Sequence, residues 1–145
     1  PPMMRVAITH SEDETMALGC QLGPTLRVGQ TVLLRGELGA GKTAFVRGLA
    51  EGLGLSPDDV SSPTFTLIQE YRGALPLFHV DLYRISSVQA EDLGLEELNE
   101  QGVIAIEWAE KLSHPPEGAV EVRIEDLGGD TRRVTIVTVE SALSG

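Results

Sequence analysis

The sequence predicts an α/β fold: a mixed sheet with a parallel centre, flanking helices and antiparallel hairpins. Three observations lead there. Val103-Ile104-Ala105-Ile106 is apolar at every position, as expected of a central parallel strand covered on both faces. Thr31-Val32-Leu33-Leu34-Arg35 is a second apolar run, and it leads through a glycine-rich loop into a segment with helical spacing, Ala44 to Leu53. Val120 to Ile124 and Arg133 to Val137 alternate, and Asp126-Leu127-Gly128-Gly129-Asp130 joins them as a hairpin. The 145 residues are expected to form one domain, 1–145, large enough to bury a core.

The elements follow in order. Met4 to Thr9 reads as a short strand. Ser11-Glu12-Asp13-Glu14 has the form of a capping box, with Ser at the cap and Glu three residues later. The helix it opens carries Met16, Leu18, Cys20 and Leu22 and stops near Gly23-Pro24. Gly29-Gln30 turns the chain into the strand at 31–35. Residues 56–59 and 61–64 are rich in turn formers and read as loop. Phe65 to Tyr71 reads as a strand, Gly73-Ala74-Leu75-Pro76 as a hairpin connection, and Leu77-Phe78-His79-Val80 as the next strand, ending at Asp81. Ser86 to Asn99 reads as one helix, with Leu93, Leu95 and Leu98 inward. The apolar strand 103–106 ends at Glu107-Trp108, and Pro115-Pro116-Glu117-Gly118 is loop before the final hairpin.

Composition narrows the function. Apolar residues make up 41%, and no run approaches the length of a membrane span. The start lacks the basic and apolar regions of a secretory signal, and the lone Cys20 has no internal disulfide partner. A cytoplasmic location fits both, with Cys20 as a packed structural residue. The formal charge of −11 argues against wrapping nucleic acid directly, because phosphate neutralisation needs clustered Lys and Arg. A nucleic-acid role would act through a partner.

The chemistry concentrates at Gly36-Glu37-Leu38-Gly39-Ala40-Gly41-Lys42-Thr43, which matches G-x-x-x-x-G-K-[ST], a phosphate-binding P-loop, at every fixed position. Such glycines let the backbone curl so that successive N–H groups face phosphate oxygens. The helix start adds its positive dipole end. The candidate cradle is Gly36, Leu38, Gly39, Ala40, Gly41, Lys42, Thr43 and Ala44. Lys42 can reach the β- and γ-phosphates, and the Thr43 hydroxyl can ligate Mg²⁺. The strand before and the helix after complete a P-loop NTPase-like context. Of eleven basic residues only two are lysines, so a lysine inside the loop suggests a task that the bulky, planar Arg would not fill.

A P-loop needs carboxylates opposite it, and in open α/β sheets ligands sit beyond the carboxyl ends of the strands. Asp81 and Glu107 each end an apolar strand. Either can hold Mg²⁺ while the other positions the attacking water; the plain alternative for each is a cap or a solvated acid. Thr64, in Ser61-Ser62-Pro63-Thr64, is a candidate for a loop that orders around the γ-phosphate, against the alternative of an ordinary capping Thr. His10, His79 and His114 show no metal-ligand spacing, and His79 reads as structural. Trp108, the only tryptophan, either packs near the nucleotide or belongs to the core.

The loop at 36–43, SSPTFTL at 61–67, FHVDLYR at 78–84, EDLGLEEL at 91–98 and VIAIEWAEKL at 103–112 together resemble the bacterial TsaE (YjeE) family, from about residue 5 to the C-terminal hairpin. The resemblance implies a small P-loop ATPase that binds and hydrolyses ATP with Mg²⁺. It implies action on the TsaB–TsaD complex, which places threonylcarbamoyl on a tRNA adenosine and which ATP turnover resets. Contact with tRNA would then be indirect, in keeping with the acidic charge. By matching motif, Lys42 and Thr43 correspond to the phosphate lysine and the magnesium hydroxyl, and Glu107 to the magnesium-associated acid. Asp81 corresponds to an acid needed for hydrolysis, Thr64 to the switch-like loop and Trp108 to the neighbouring aromatic. The resemblance also places Ser11 near the base and Arg133 near the nucleotide.

Three alternatives compete. A small-metabolite kinase shares the P-loop and the strand-end acids, but the short segment 109–118 offers no Arg-bearing lid. A nucleotide-sensing module would bind without hydrolysing. A GTPase would need an Asn-Lys-x-Asp guanine-reading motif, which the sequence lacks.

Overall fold

Val103–Glu107 is buried at every position, and it lies in the parallel middle of a seven-stranded sheet. The computed structural model describes residues 2–37, 39–56, 67–114 and 116–139. In chain order the elements are β1 (Pro2–Thr9), α1 (Glu12–Leu22), β2 (Thr31–Arg35), α2 (Lys42–Gly52), β3 (Ile68–Tyr71), β4 (Leu77–Asp81), α3 (Ser87–Glu91), α4 (Leu95–Asn99), β5 (Val103–Glu107), β6 (Val120–Gly128) and β7 (Thr131–Val139). Strand order is β1-β7-β6-β2-β5-β4-β3. β2 pairs in parallel with both β5 and β6, and β4 pairs in parallel with β5. The outer pairs β3–β4, β6–β7 and β1–β7 are antiparallel. The expected mixed sheet with a parallel centre is therefore the one observed.

Successive strand residues point to opposite faces, so each central strand feeds two cores. Val32, Leu34, Ala105, Val122, Ile124, Val134 and Ile136 pack with Leu18 and Leu22 of α1 and Phe45 and Leu49 of α2. Leu33, Phe78, Val80, Ile104 and Ile106 form the second core on the other face, closed by Ala90 with Leu93, Leu95 and Leu98. The helices α1 and α2 meet backbone to backbone at two glycines. A methyl group at Gly48 would overlap the Met16 carbonyl oxygen, and one at Gly19 would overlap the carbonyl of Phe45.

Five boundaries differ from the sequence reading. The strand read over Phe65 to Tyr71 is Ile68–Tyr71: Leu67 precedes it as a bend, and Phe65 and Thr66, with the loop at 57–64, lie outside the described residues. The helix expected over 86–99 is two short helices, parted at Asp92–Gly94, where Gly94 takes a φ of 73° that continues no right-handed helix. Its three leucines still face inward, because the break preserves their side of the chain. Helix α2 starts at Lys42, two residues earlier than its apolar spacing shows. The last hairpin extends its strands through Gly128 and from Thr131, absorbing Asp126 in an irregular register. β1 begins at Pro2 because it pairs with β7 out to Val139. Among the described residues no helix is long and apolar enough to cross a membrane.

Candidate functional site

The turn between β2 and α2 is shaped by glycine. Gly36, Gly39 and Gly41 adopt φ values of 151°, 80° and 110°, a region closed to most side chains. Gly41 caps α2 without a side-chain hydrogen bond, and the first turn of α2 carries no acid. Helix α1 differs: Ser11 accepts from the Glu14 N–H at 3.1 Å, and Glu12, Asp13 and Glu14 fill its first turn. The positive end of α1 is thus answered internally. That of α2 has no such side-chain partner among the described residues, and the N–H groups a helix start presents suit an anion there.

Lys42 is buried against this loop. Its Nζ donates to the Gly36 carbonyl at 2.7 Å, lies 3.7 Å from Glu107 Oε1, and sits 5.0 Å from the centroid of the Trp108 ring. Glu107 is only 5% exposed, and its Oε2 is 2.7 Å from His79 Nε2. Parallel pairing of β4 with β5 sets Asp81 directly opposite Glu107. Asp81 Oδ1 accepts from the Tyr83 N–H at 2.9 Å, which turns the chain off β4. Trp108 takes a left-handed φ of 63°, unusual for a large residue and typical of strained functional positions. Its ring packs on Tyr83 with centroids 4.8 Å apart.

The structure thus brings Gly36, Gly39, Ala40, Gly41, Lys42, Thr43, Ala44, Asp81, Glu107 and Trp108 to one end of the sheet. Ser11 borders the loop: with Thr15, Gly39, Gly41, Ala44 and Arg132 it lines a cavity of about 110 Å³, while its hydroxyl serves the cap. Leu38 and Thr64 lie outside the described residues. Arg133 is not at the loop. It faces Glu125 at 3.4 Å on the opposite side of β7, and its neighbour Arg132 takes the loop position instead. Arg132 Nε donates to the Ala40 carbonyl at 2.9 Å, and its Nη1 donates to Gly129 O at 2.7 Å and to Asp126 Oδ1 at 3.1 Å. The signal was present in the sequence. Arg132 shares strand parity with the buried Val134 and Ile136, so it points to the α2 side. His79 was missed in the same way: it lies two residues before Asp81 and shares its face.

A larger groove, about 580 Å³, lies away from the loop beside α3 and α4. Glu91, Asp92, Glu96, Glu97 and Glu117 line it, with no Lys or Arg among the described lining residues, so it repels a polyphosphate. One of these acids is tied down: two hydrogen bonds from Ser113 hold the Glu91 carboxyl below the usual carboxylate range. The glycine loop is therefore the phosphate candidate, despite its smaller cavity.

The donor set suits a hard cation. Thr43 in the first turn of α2 and Glu107 at the end of β5 could supply hydroxyl and carboxylate oxygens, the ligands Mg²⁺ prefers. Among the described residues no cluster of three His, Cys, Asp or Glu side chains forms an all-protein metal cage.

Comparison with known proteins gives a consistent result. The family model described as threonylcarbamoyl adenosine biosynthesis protein TsaE matches residues 9–134. The tRNA threonylcarbamoyladenosine biosynthesis protein TsaE of Bacillus subtilis is 42% identical over 134 residues, covering 90% of this chain and 84% of that protein. The protein of the same name from Treponema pallidum is 40% identical, covering 89% of this chain and 97% of that one. The crystal structure of YdiB from Bacillus subtilis superposes with a TM-score of 0.77 at 35% identity, over 99% of this chain and 91% of that one. On this match across most of its length, the chain belongs to the TsaE family.

Proposed function

We propose that this protein is a Mg²⁺-dependent ATPase of tRNA threonylcarbamoyladenosine biosynthesis, whose cycle resets the TsaB–TsaD complex between turnovers. The observation that carries it is Lys42 at the acid-free start of α2, 3.7 Å from the buried Glu107. ATP is the substrate. In hydrolysis a water oxygen bonds to the γ-phosphorus, the bond to the bridging β–γ oxygen breaks, and ADP and phosphate leave with a proton released.

The chain's own groups have distinct parts in this. The glycine loop and the first N–H groups of α2 grip the phosphates. Lys42 exchanges its bond to the Gly36 carbonyl for the β- and γ-oxygens. Thr43 and Glu107 would hold Mg²⁺, which when bound neutralises phosphate charge. Asp81, opposite Glu107 on the neighbouring strand, orients the attacking water. Trp108 shields Lys42 from solvent. The family names support the pathway, and tRNA contact through TsaB–TsaD agrees with a charge of −11 on this chain.

The test is ATP hydrolysis with Mg²⁺, measured for this chain alone and with TsaB–TsaD. Strong stimulation by the pair is expected. Turnover indifferent to the pair refutes the coupling, and phosphate recovered on a small metabolite instead of in solution refutes the ATPase.

A further inference from the structure

His79 lies in the middle of β4 and is fully buried, with Leu77 on its own face and Gln69 directly opposite it on β3. Its direct cross-strand partner on β5 is Ala105, and Glu107 is the next β5 residue on the same face. The short Ala105 side chain leaves the space across which the imidazole meets Glu107. A carboxylate offers only acceptors, so Nε2 carries the proton and donates to Oε2 at 2.7 Å. Nδ1 has no hydrogen-bond partner among the described residues. A residue that merely filled this space would do better as Leu or Phe, since a buried orphan nitrogen costs about 1–3 kcal/mol. The Nε2 bond is the feature that an apolar residue could not supply.

We propose that His79 is a positioning residue for Glu107. By engaging Oε2 it fixes the carboxylate plane and presents Oε1 to the phosphate loop, on the side where Lys42 Nζ lies 3.7 Å away. It thereby sets how strongly Glu107 engages the Mg²⁺ that accompanies a nucleotide. Outer partners of metal-binding carboxylates act in this way. The inference rests on the ATPase reading and adds a residue to it.

The experiment titrates Mg²⁺ into the full chain at fixed ATP, followed by the fluorescence of Trp108, the only tryptophan, and by calorimetry. His79→Leu removes the donor, and His79→Gln keeps an N–H of similar reach. The Leu variant is expected to raise the Mg²⁺ midpoint about tenfold, with metal-free ATP affinity within about twofold of the parent. The Gln variant should recover most of the loss. An unchanged midpoint in the Leu variant, or equal impairment in both, overturns the proposal. Should His79→Leu not fold, the imidazole ¹⁵N spectrum of the intact protein decides. An Nε2-protonated ring that shifts with ATP and Mg²⁺, but not with ATP in EDTA, supports positioning. An Nδ1-protonated or unmoved ring overturns it. If the unmutated chain binds no Mg²⁺–ATP, the ATPase reading itself falls, a result separable from any failure of the variants.

Discussion

Replacing Arg132 with Met tests the arrangement of the loop without reference to any ligand. The substitution keeps most of the side-chain stem and removes every donor. Its main consequence is at Ala40, which is 1% exposed and whose carbonyl accepts from Arg132 Nε at 2.9 Å. Leaving that oxygen buried and unpaired costs about 1–3 kcal/mol. The bonds to Asp126 and Gly129 are open to water and add at most about 1 kcal/mol. The sum is about 1–4 kcal/mol, and a chain of this size loses about 2–4 °C in Tm per kcal/mol. Arg133→Met is the internal control. Arg133 and its partner Glu125 are 45% and 42% exposed, so their pair is worth under about 1 kcal/mol. Thermal and urea unfolding of the two variants, read by circular dichroism, should show Arg132→Met costing at least about twice as much as Arg133→Met. Equal costs, or the reverse order, would refute the strand parity that puts Arg132 against the loop.

Other perturbations address the site and its surroundings. Lys42→Ala should weaken Mg²⁺–ATP binding by about 30–150-fold, from the loss of about 2–3 kcal/mol of charged hydrogen bonds to phosphate; unchanged affinity in a calorimetric titration rules out the cradle. Glu107→Ala should weaken binding more with Mg²⁺ than in EDTA, and equal losses count against a metal role. Asp81→Ala should keep nucleotide affinity and slow phosphate release, whereas collapse of binding marks Asp81 as an anchor of the turn at Tyr83. Burial, and after it the nearby Glu51 carboxylate, push the Cys20 thiol above its ordinary range. Alkylation of Cys20 should therefore lag a free thiol at pH 8 and speed up as pH rises, with Glu51→Gln faster than the parent; a rate matching free thiol contradicts this.

Much of the architecture could be read from the chain because its signals are local. The all-apolar run 103–106 is typical of a strand covered on both sides, and the glycine loop announces the helix behind it. What escaped depends on which residues meet through space. Gly94 divides the expected helix at 86–99 through its left-handed φ, and periodicity alone shows no break because the leucines on both sides are inward. Arg132 and Arg133 are chemically alike, and only the parity of β7, legible from Val134 and Ile136, tells them apart. His79 read as structural because its partner lies 28 residues away, on the adjacent strand. The pairing of β4 with β5 had to be known before that contact could be seen.

The two glycines at the α1–α2 crossing also have a reach beyond their own packing. With no side chains between them, Gly19 and Gly48 act as a pivot held at the closest approach two helix backbones allow. From it α1 runs back to Ser11 and α2 to Lys42, roughly 12 and 9 Å at the rise of a helix. Those two helix starts flank the cavity beside the loop. The aperture offered to a ligand is thus calibrated at a distance, like the gap between the points of a pair of dividers. A side chain inserted at the pivot would open or skew the mouth while leaving every residue of the mouth itself unchanged.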